Sequence, residues 1–160
     1  MRIEISIKLQ TLTLYDDEGG VMARYPVSTA ANGAGCEKDS GCTPLGVHII
    51  RAKIGAGMPE NTVFVGRRPT GEICTSGLMQ EFPNRDWILT RILWLSGMEV
   101  GKNRLGNVDT MQRYIYIHGT PDSTEMSKVG SHGCVRMRNR DIMRLFDYVT
   151  VGTRVFIAND

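Results

Sequence analysis

The 160-residue sequence lacks several features that would assign a protein to a class at once. It has no run of about 18 apolar residues, so we expect no transmembrane helix. Its N-terminus, Met1–Leu9, alternates apolar and polar residues and has no apolar core of a secretory signal. This favours a cytoplasmic location, or a periplasmic one if the sequence is a trimmed piece of a longer protein. The net charge is +2 with no long basic run, so no nucleic-acid or membrane partner is expected.

Internal repeats, low-complexity tracts and linkers are absent too, which predicts a single domain over residues 1–160. Short β-branched and aromatic runs between turn-forming residues predict a mainly β fold, a sandwich or barrel with one or two short helices. Strands are predicted at 1–9, 11–15, 21–27, 47–51, 87–95, 114–117 and 151–157. Residues 54–86 are predicted to be irregular around one short apolar run at 62–65. Asn139 is predicted to cap a helix that runs to Tyr148.

The most informative stretch is residues 114–137, YIYIHGTPDSTEMSKVGSHGCVRM. A strand-like run ends at His118, and a turn-rich loop then leads to His132 and Cys134. A thiolate is a good nucleophile, and a nearby imidazole can take the thiol proton and return it to a leaving amine. The pattern therefore predicts acyl transfer by Cys134, and on spacing alone either histidine can be the base.

Two further residues fit the same chemistry. Gly133 lets the backbone approach a substrate carbonyl, so that the amides of Gly133 and Cys134 can donate to a developing oxyanion. Arg136 offers a forked donor suited to a substrate carboxylate.

Two alternatives compete with catalysis at this stretch. Cysteine is often only a small buried hydrophobe. His118, His132 and Cys134 are also three possible zinc ligands, but their spacing lacks a C-x-x-C or H-x-x-x-H clip. Catalysis is therefore favoured, and we expect the protein to need no metal and no cofactor.

HGT followed by SHGCVRM resembles the signature of the YkuD-type L,D-transpeptidase family, and TPLG at residues 43–46 resembles its Thr-Pro-x-Gly segment. The similarity extends over nearly the whole chain. The resemblance implies Cys134 as nucleophile and His118 as base, with the Gly119 carbonyl orienting the imidazole. It also implies an oxyanion and substrate-binding set, which consists of Ser131, His132, Gly133 and Arg136.

Members of that family attack the bond between a diamino acid and a terminal D-alanine in peptidoglycan stem peptides. The resemblance therefore implies a stem peptide or soluble muropeptide as partner, and carbapenem-type inhibitors. Water as acyl acceptor gives an L,D-carboxypeptidase of muropeptide recycling, and an amine gives a transpeptidase that forms 3–3 cross-links. The missing signal favours water, with the amine as the alternative. A non-catalytic module that binds cell-wall peptides is disfavoured, because Cys134 and His118 are both present.

Residues outside the motif receive simpler predictions. Cys36 and Cys42 lie close enough in sequence for a disulfide, but free thiols are favoured in the absence of a secretory signal. Cys74 is predicted to be a partly buried thiol. His48 lies in an apolar alternation and is predicted to be a packed structural histidine.

The segment 96–112 directly precedes the strand that carries His118. It is predicted to be a loop that forms a wall or lid of the active site, or else a passive surface loop. In the first case Asp109, Thr110 and Arg113 would flank the cleft.

Overall fold

Ten strands and two short helices make up the chain. The computed structural model describes residues 1–160. The strands are β1 (Arg2–Ser6), β2 (Thr11–Tyr15), β3 (Val21–Ser28), β4 (Gly46–Ile54), β5 (Thr62–Val65), β6 (Arg68–Ile73), β7 (Ile88–Gly97), β8 (Tyr116–Thr120), β9 (Val135–Arg138) and β10 (Arg154–Ala158). The helices are α1 (Ser76–Glu81) and α2 (Asn139–Tyr148), and Gly106–Val108 form one 3₁₀ turn.

Eight of the strands form a closed barrel. Their order is β4-β10-β1-β2-β3-β9-β8-β7, and β7 pairs with β4 to close the ring. The pairs β1–β10 and β8–β9 are parallel, and the other ring pairs are antiparallel. The hairpin β5–β6 attaches to the start of β7 outside the ring. The predicted mainly β fold with short helices is confirmed, and the closed ring is the barrel form.

The alternating strands place one large apolar core inside this ring. Twenty buried apolar residues form it, most of them from the ring strands and α2. In β1, for example, Ile3 and Ile5 are buried while their neighbours are half-buried. Helix α2 adds Ile142, Leu145 and Phe146, which lie on one helical face. Each such side chain stabilises the fold by ~1.5–3 kcal/mol when it leaves water.

Neither helix is long and apolar enough to cross a lipid bilayer.

Several predicted boundaries are wrong, and each has a physical reason. The segment predicted to be irregular, 54–86, contains β6 and α1. Strand β6 is mostly exposed and α1 buries no residue, so neither has the apolar period that reveals an element. The strand predicted at 114–117 begins at Tyr116, because Tyr114 has a φ of +56°, outside the β region.

Candidate active site

A cleft of about 560 Å³ opens beside the parallel strands β8 and β9. It brings together five of the residues that the sequence singled out: His118, Ser131, His132, Cys134 and Arg136. The remaining lining comes from the β5–β6 turn (66–67), from Asp86 and Ile88, and from residues 113–116.

The register of the parallel pair explains why these side chains meet. His118 in β8 pairs with Arg136 in β9. Side chains alternate along a strand, so Tyr116 points to the same face as His118. Cys134, directly before β9, lines the same cleft as Arg136. Two residues upstream of the His118–Arg136 pair, the Tyr116 backbone N–H contacts the Cys134 sulfur at 3.3 Å. The strands thus present an imidazole and a thiol to one cleft.

His118 is held in one tautomer. Its Nδ1 lies 2.6 Å from the Gly119 carbonyl oxygen, which only accepts, so Nδ1 carries the proton. In the neutral ring, Nε2 is then free to accept a proton. Burial lowers the pKa of His118, and the Gly119 hydrogen bond opposes this only in part. The imidazole is therefore neutral at pH 7.

The Cys134 thiol is also uncharged. Burial raises its pKa to about 12, although the Tyr116 N–H hydrogen bond favours the thiolate. Its Sγ donates to the Tyr114 carbonyl at 3.4 Å and makes no hydrogen bond with His118 in this structure. The resting site thus holds a neutral thiol and a neutral imidazole.

A tight turn precedes Cys134. Gly133 has a φ of +133°, and a Cβ there would lie 3.0 Å from the Ile115 side chain, so glycine is needed. The Gly133 N–H donates to Ser131 Oγ at 3.2 Å, and that hydroxyl donates to the Cys134 carbonyl at 2.5 Å. The Thr43 hydroxyl donates to the Gly133 carbonyl at 2.9 Å, which ties the TPLG segment to this turn. The Cys134 N–H makes no hydrogen bond within the chain and is left as the free donor.

Ser131 and Gly133 are thus engaged with the turn itself. The hydroxyl of Ser131 is used twice within the loop, and the Gly133 amide already has an acceptor. His132 is exposed at the rim of the cleft. No group of three His, Cys, Asp or Glu side chains is arranged to hold a metal ion, which the zinc alternative would require.

Three arginines face the cleft. Arg136 donates to the Gly130 carbonyl at 3.2 Å and to the Asp86 carboxylate at 3.4 Å. Arg113 donates to the carbonyls of Gly35 at 3.2 Å and Cys42 at 2.7 Å. Arg67 comes from the β5–β6 turn. With Asp86 as the one carboxylate in the lining, the cleft has an excess of positive charge suited to anionic substrates.

The segment 96–112 does not form the wall of the cleft. Arg113 lines it as predicted, but the Asp109 carboxylate instead accepts from the backbone N–H groups of Leu105 and Gln112. The Thr110 hydroxyl contacts the ring of the buried His48. The wall comes instead from the turn at 66–67, which sequence reasoning missed because a polar turn has no periodic pattern.

Asn139 does not cap α2. Arg138 precedes the helix and makes no side-chain cap, while the Asn139 side chain is buried. Asn139 Nδ2 donates to Asn61 Oδ1 and the Thr120 carbonyl, both at 2.9 Å, and to Asp122 Oδ1 at 3.2 Å.

This buried amide supports the strand that carries His118. The β7–β8 pairing is interrupted by a bulge between Leu89 and Ile92, directly opposite His118 and Gly119. Thr90, in the bulge, has a φ of +75°, and its hydroxyl donates to Asn139 Oδ1 at 2.6 Å. A Cβ at Gly119 would clash with Asn139 Oδ1. Glycine at position 119 therefore allows the amide to lie directly behind the His118–Gly119 peptide.

The other cysteines and His48 do not line the cleft. Cys36, Cys42 and Cys74 are free thiols, as is Cys134, and Cys74 is 9% exposed. Cys36 Sγ accepts from the Leu45 N–H. His48 is fully buried in the barrel, which confirms it as a packed residue.

The fold and cleft define a mixed β-barrel in which an imidazole on β8 and a thiol directly before the parallel strand β9 line one cleft. Residues 1–157 match the YkuD family model, described as the L,D-transpeptidase catalytic domain. The chain belongs to this family.

Curated L,D-transpeptidases match short segments of this chain, in line with that assignment. The putative L,D-transpeptidase YqjB of Bacillus subtilis (strain 168) is 46% identical over 44 residues, 28% of this chain and 25% of YqjB. The probable L,D-transpeptidase YbiS of Escherichia coli (strain K12) is 54% identical over 43 residues, 27% of this chain and 14% of YbiS. The matched segments thus span about a quarter or less of these curated relatives.

Solved structures share the fold at low sequence identity. L,D-transpeptidase 3 from Mycobacterium tuberculosis, in complex with a faropenem-derived adduct, superposes with a TM-score of 0.59 at 15% identity. The match covers 97% of this chain and 58% of that chain.

Proposed function

We propose that this protein is a cysteine-dependent enzyme that cleaves the bond between the diamino acid and the terminal D-alanine of peptidoglycan stem tetrapeptides. One observation carries the proposal: Cys134, directly before β9, and His118, in the adjacent parallel strand β8, line one cleft in a chain of the L,D-transpeptidase family. The positive charge of the cleft supports an anionic peptide as substrate.

The proposed acylation uses groups already described. Cys134 Sγ attacks the carbonyl carbon of the diamino acid while His118 Nε2 takes the thiol proton. The carbonyl oxygen becomes an oxyanion and accepts from the Cys134 N–H. His118 then gives its proton to the amine of D-alanine as the C–N bond breaks, which leaves a thioester on Cys134.

The resting geometry holds the thiol away from the base. The thiol points to the Tyr114 carbonyl, so it has to turn toward His118 when the substrate binds. Both groups are uncharged at rest, so His118 takes the thiol proton only in the substrate complex. The Gly119 carbonyl stabilises the imidazolium through Nδ1.

We propose water as the second substrate, which makes the protein an L,D-carboxypeptidase. Cys134 keeps part of its surface exposed in the cleft, so water can reach the thioester. An amine from a second stem peptide is the other candidate and gives a 3–3 cross-link. The names of the curated relatives, which are L,D-transpeptidases, favour that candidate.

The same nucleophile leads us to propose that carbapenem-type β-lactams acylate Cys134. Such a ring contains a strained amide carbonyl, and the mechanism needs only a thiol, a base and an oxyanion donor. The faropenem-derived adduct of the M. tuberculosis protein supports this extension.

The test compares Cys134→Ser with Cys36→Ser, the same chemical change outside the cleft. Wild type and Cys36→Ser should release D-alanine from a soluble tetrapeptide muropeptide, and Cys134→Ser should be slower by ~10³-fold or more. Mass spectrometry of the products then distinguishes a tripeptide from a cross-linked dimer. Near-wild-type turnover by Cys134→Ser would rule out the mechanism, and binding of tetrapeptide without turnover by wild type would indicate a binding module.

A further inference from the structure

Arg67 extends from the β5–β6 turn into the cleft and is held there by aromatic rings. Its guanidinium carbon lies 4.4 Å from the centroid of Trp94 and 5.0 Å from that of Tyr114. Its Nη1 donates to the hydroxyl of Tyr116 at 3.0 Å. Tyr116 in turn packs edge-on against Trp94, with 6.1 Å between ring centroids. A cation over aromatic faces is stabilised, and its position in the cleft is fixed.

Arg67 differs from the other two arginines of the cleft in what it contacts. Arg136 is paired with Asp86 and the Gly130 carbonyl, and Arg113 is tied to backbone carbonyls. Arg67 has no carboxylate or backbone carbonyl partner; the Tyr116 hydroxyl is its one hydrogen-bond acceptor. A guanidinium has five N–H donors, so most of those on Arg67 remain available.

The position of Arg67 relative to Cys134 indicates what its free N–H groups can bind. Arg67 contacts Tyr116, which lies beside Cys134. Arg136 pairs with His118, two residues further along the parallel strands. Arg67 thus contacts a residue that is level with the sulfur, and Arg136 lies further along the strand direction. A stem peptide bound across Cys134 would extend toward both.

We propose that Arg67 binds a carboxylate of the stem peptide in the part of the cleft beside Tyr116. The inference rests on the proposed function and adds a substrate-binding residue to it. The carboxylate is either the C-terminal one of D-alanine or a second one on the diamino acid. A fixed guanidinium binds either through two parallel N–H···O hydrogen bonds, which a lysine cannot reproduce.

The chain contains a matched control for the test. Arg68 is the next residue on the same hairpin, carries the same charge and is exposed outside the cleft. Release of D-alanine is measured for wild type, Arg67→Gln and Arg68→Gln on a tetrapeptide with both carboxylates free. The same three proteins are then assayed on two tetrapeptides, amidated either at D-alanine or at the diamino acid.

Arg67→Gln should lower kcat/KM by roughly 10- to 150-fold on the free tetrapeptide, mainly through KM, while Arg68→Gln leaves it unchanged. One of the two amides should penalise wild type and Arg68→Gln by a similar factor but Arg67→Gln hardly at all. That amide identifies which carboxylate Arg67 binds. If Arg67→Gln loses activity but keeps the full penalty for both amides, Arg67 only supports the hairpin and the proposal fails.

A second variant covers the case in which Arg67→Gln disturbs the hairpin. Arg67→Lys keeps the charge and can still lie over the rings, so its melting temperature should match wild type. It should lose part of the amide discrimination, and full discrimination would overturn the proposal. Failure of the proposed function has a different signature, since wild type would then release no D-alanine from the free tetrapeptide.

Discussion

Burial shifts the pKa values of the two side chains that we propose to react in opposite directions. It raises the pKa of the Cys134 thiol to about 12 and lowers the pKa of His118. Each shift favours the uncharged form, because the buried parts of the two side chains lose the water that would solvate a thiolate or an imidazolium. If Cys134 is the proposed nucleophile, its uncharged thiol reacts only slowly with other electrophiles before a substrate binds.

This predicts slow alkylation of Cys134 by iodoacetamide in the absence of substrate. At pH 8.5 the reaction should be roughly 10- to 100-fold slower than that of free cysteine, whose pKa is about 8.5, because so little thiolate is present. The rate should keep rising up to pH 11. Peptide mapping by mass spectrometry reads the modification at Cys134 alone. A rate that is already constant between pH 7 and 8 would mean that the resting pair is charged, contrary to the prediction.

At the residue scale, the sequence could locate the cysteine and histidine of the cleft but not its rim. SHGC and HGT are local patterns that can be read from consecutive residues. Arg67 reaches the cleft only because a hairpin outside the ring packs against Trp94 and Tyr116. That contact depends on strand register across distant segments, which a single sequence does not specify.

At the scale of elements, the bulge in β7 and the first residue of α2 act together behind β8. Thr90 adopts a left-handed backbone that is costly for a β-branched residue. Its hydroxyl and the Asn139 amide compensate by joining β7 and α2 to the Thr120 carbonyl of β8, beside Gly119. The alternating pattern of β7 predicted a strand there, but the pattern contained no sign that two residues leave the ladder.

Asn139→Ala should therefore weaken both fold and catalysis. The change leaves buried polar groups without partners, which costs ~1–3 kcal/mol per group, and it loosens the support behind His118. Urea denaturation should show the lower free energy of unfolding, and D-alanine release should show a lower kcat. Asn159→Ala, an exposed asparagine near the C-terminus, is the control. Equal stability of the two variants would contradict the assigned role.

Seven of the eight ring strands were predicted from the sequence, whereas β9 (Val135–Arg138) and the outer hairpin were not. Strands β1, β2 and β3 each bury one or more large apolar side chains, so their composition marks them. Strand β6 contains Pro69 and Gly71 and is mostly exposed at the end of the sheet. It therefore lacks the alternating apolar residues by which a strand is recognised in a sequence.

At the scale of the whole molecule, stability should depend on pH through His48. The ring is fully buried and contacts the Gly46 carbonyl at 3.1 Å and the Thr110 hydroxyl at 3.0 Å. Burial lowers its pKa to about 4, the Gly46 hydrogen bond and Glu99 partly oppose this, and Lys102 adds to it. The folded state thus keeps His48 neutral at a pH where the unfolded chain binds a proton.

The stabilisation from neutral His48 is present above pH 6.5 and is lost as the pH falls toward 4. Its size is about 3 kcal/mol, from 1.36 kcal/mol per pKa unit. Urea unfolding at pH 4 to 7 should show this loss in wild type, added to that from His118. In His48→Gln the pH dependence should shrink by about that amount. An unchanged slope in the variant would show that His48 titrates normally in the fold.

The closed ring also fixes when the protein can fold during its synthesis. Strand β10 lies between β1 and β4, so β1 can complete its pairing only after the last strand has been synthesised. Cys134 and His118 leave the ribosome before β10 does, yet the barrel that supports them is still open. A nascent chain that stalls before Arg154 therefore presents two unpaired strand edges to its neighbours, the kind of surface on which partly folded chains aggregate.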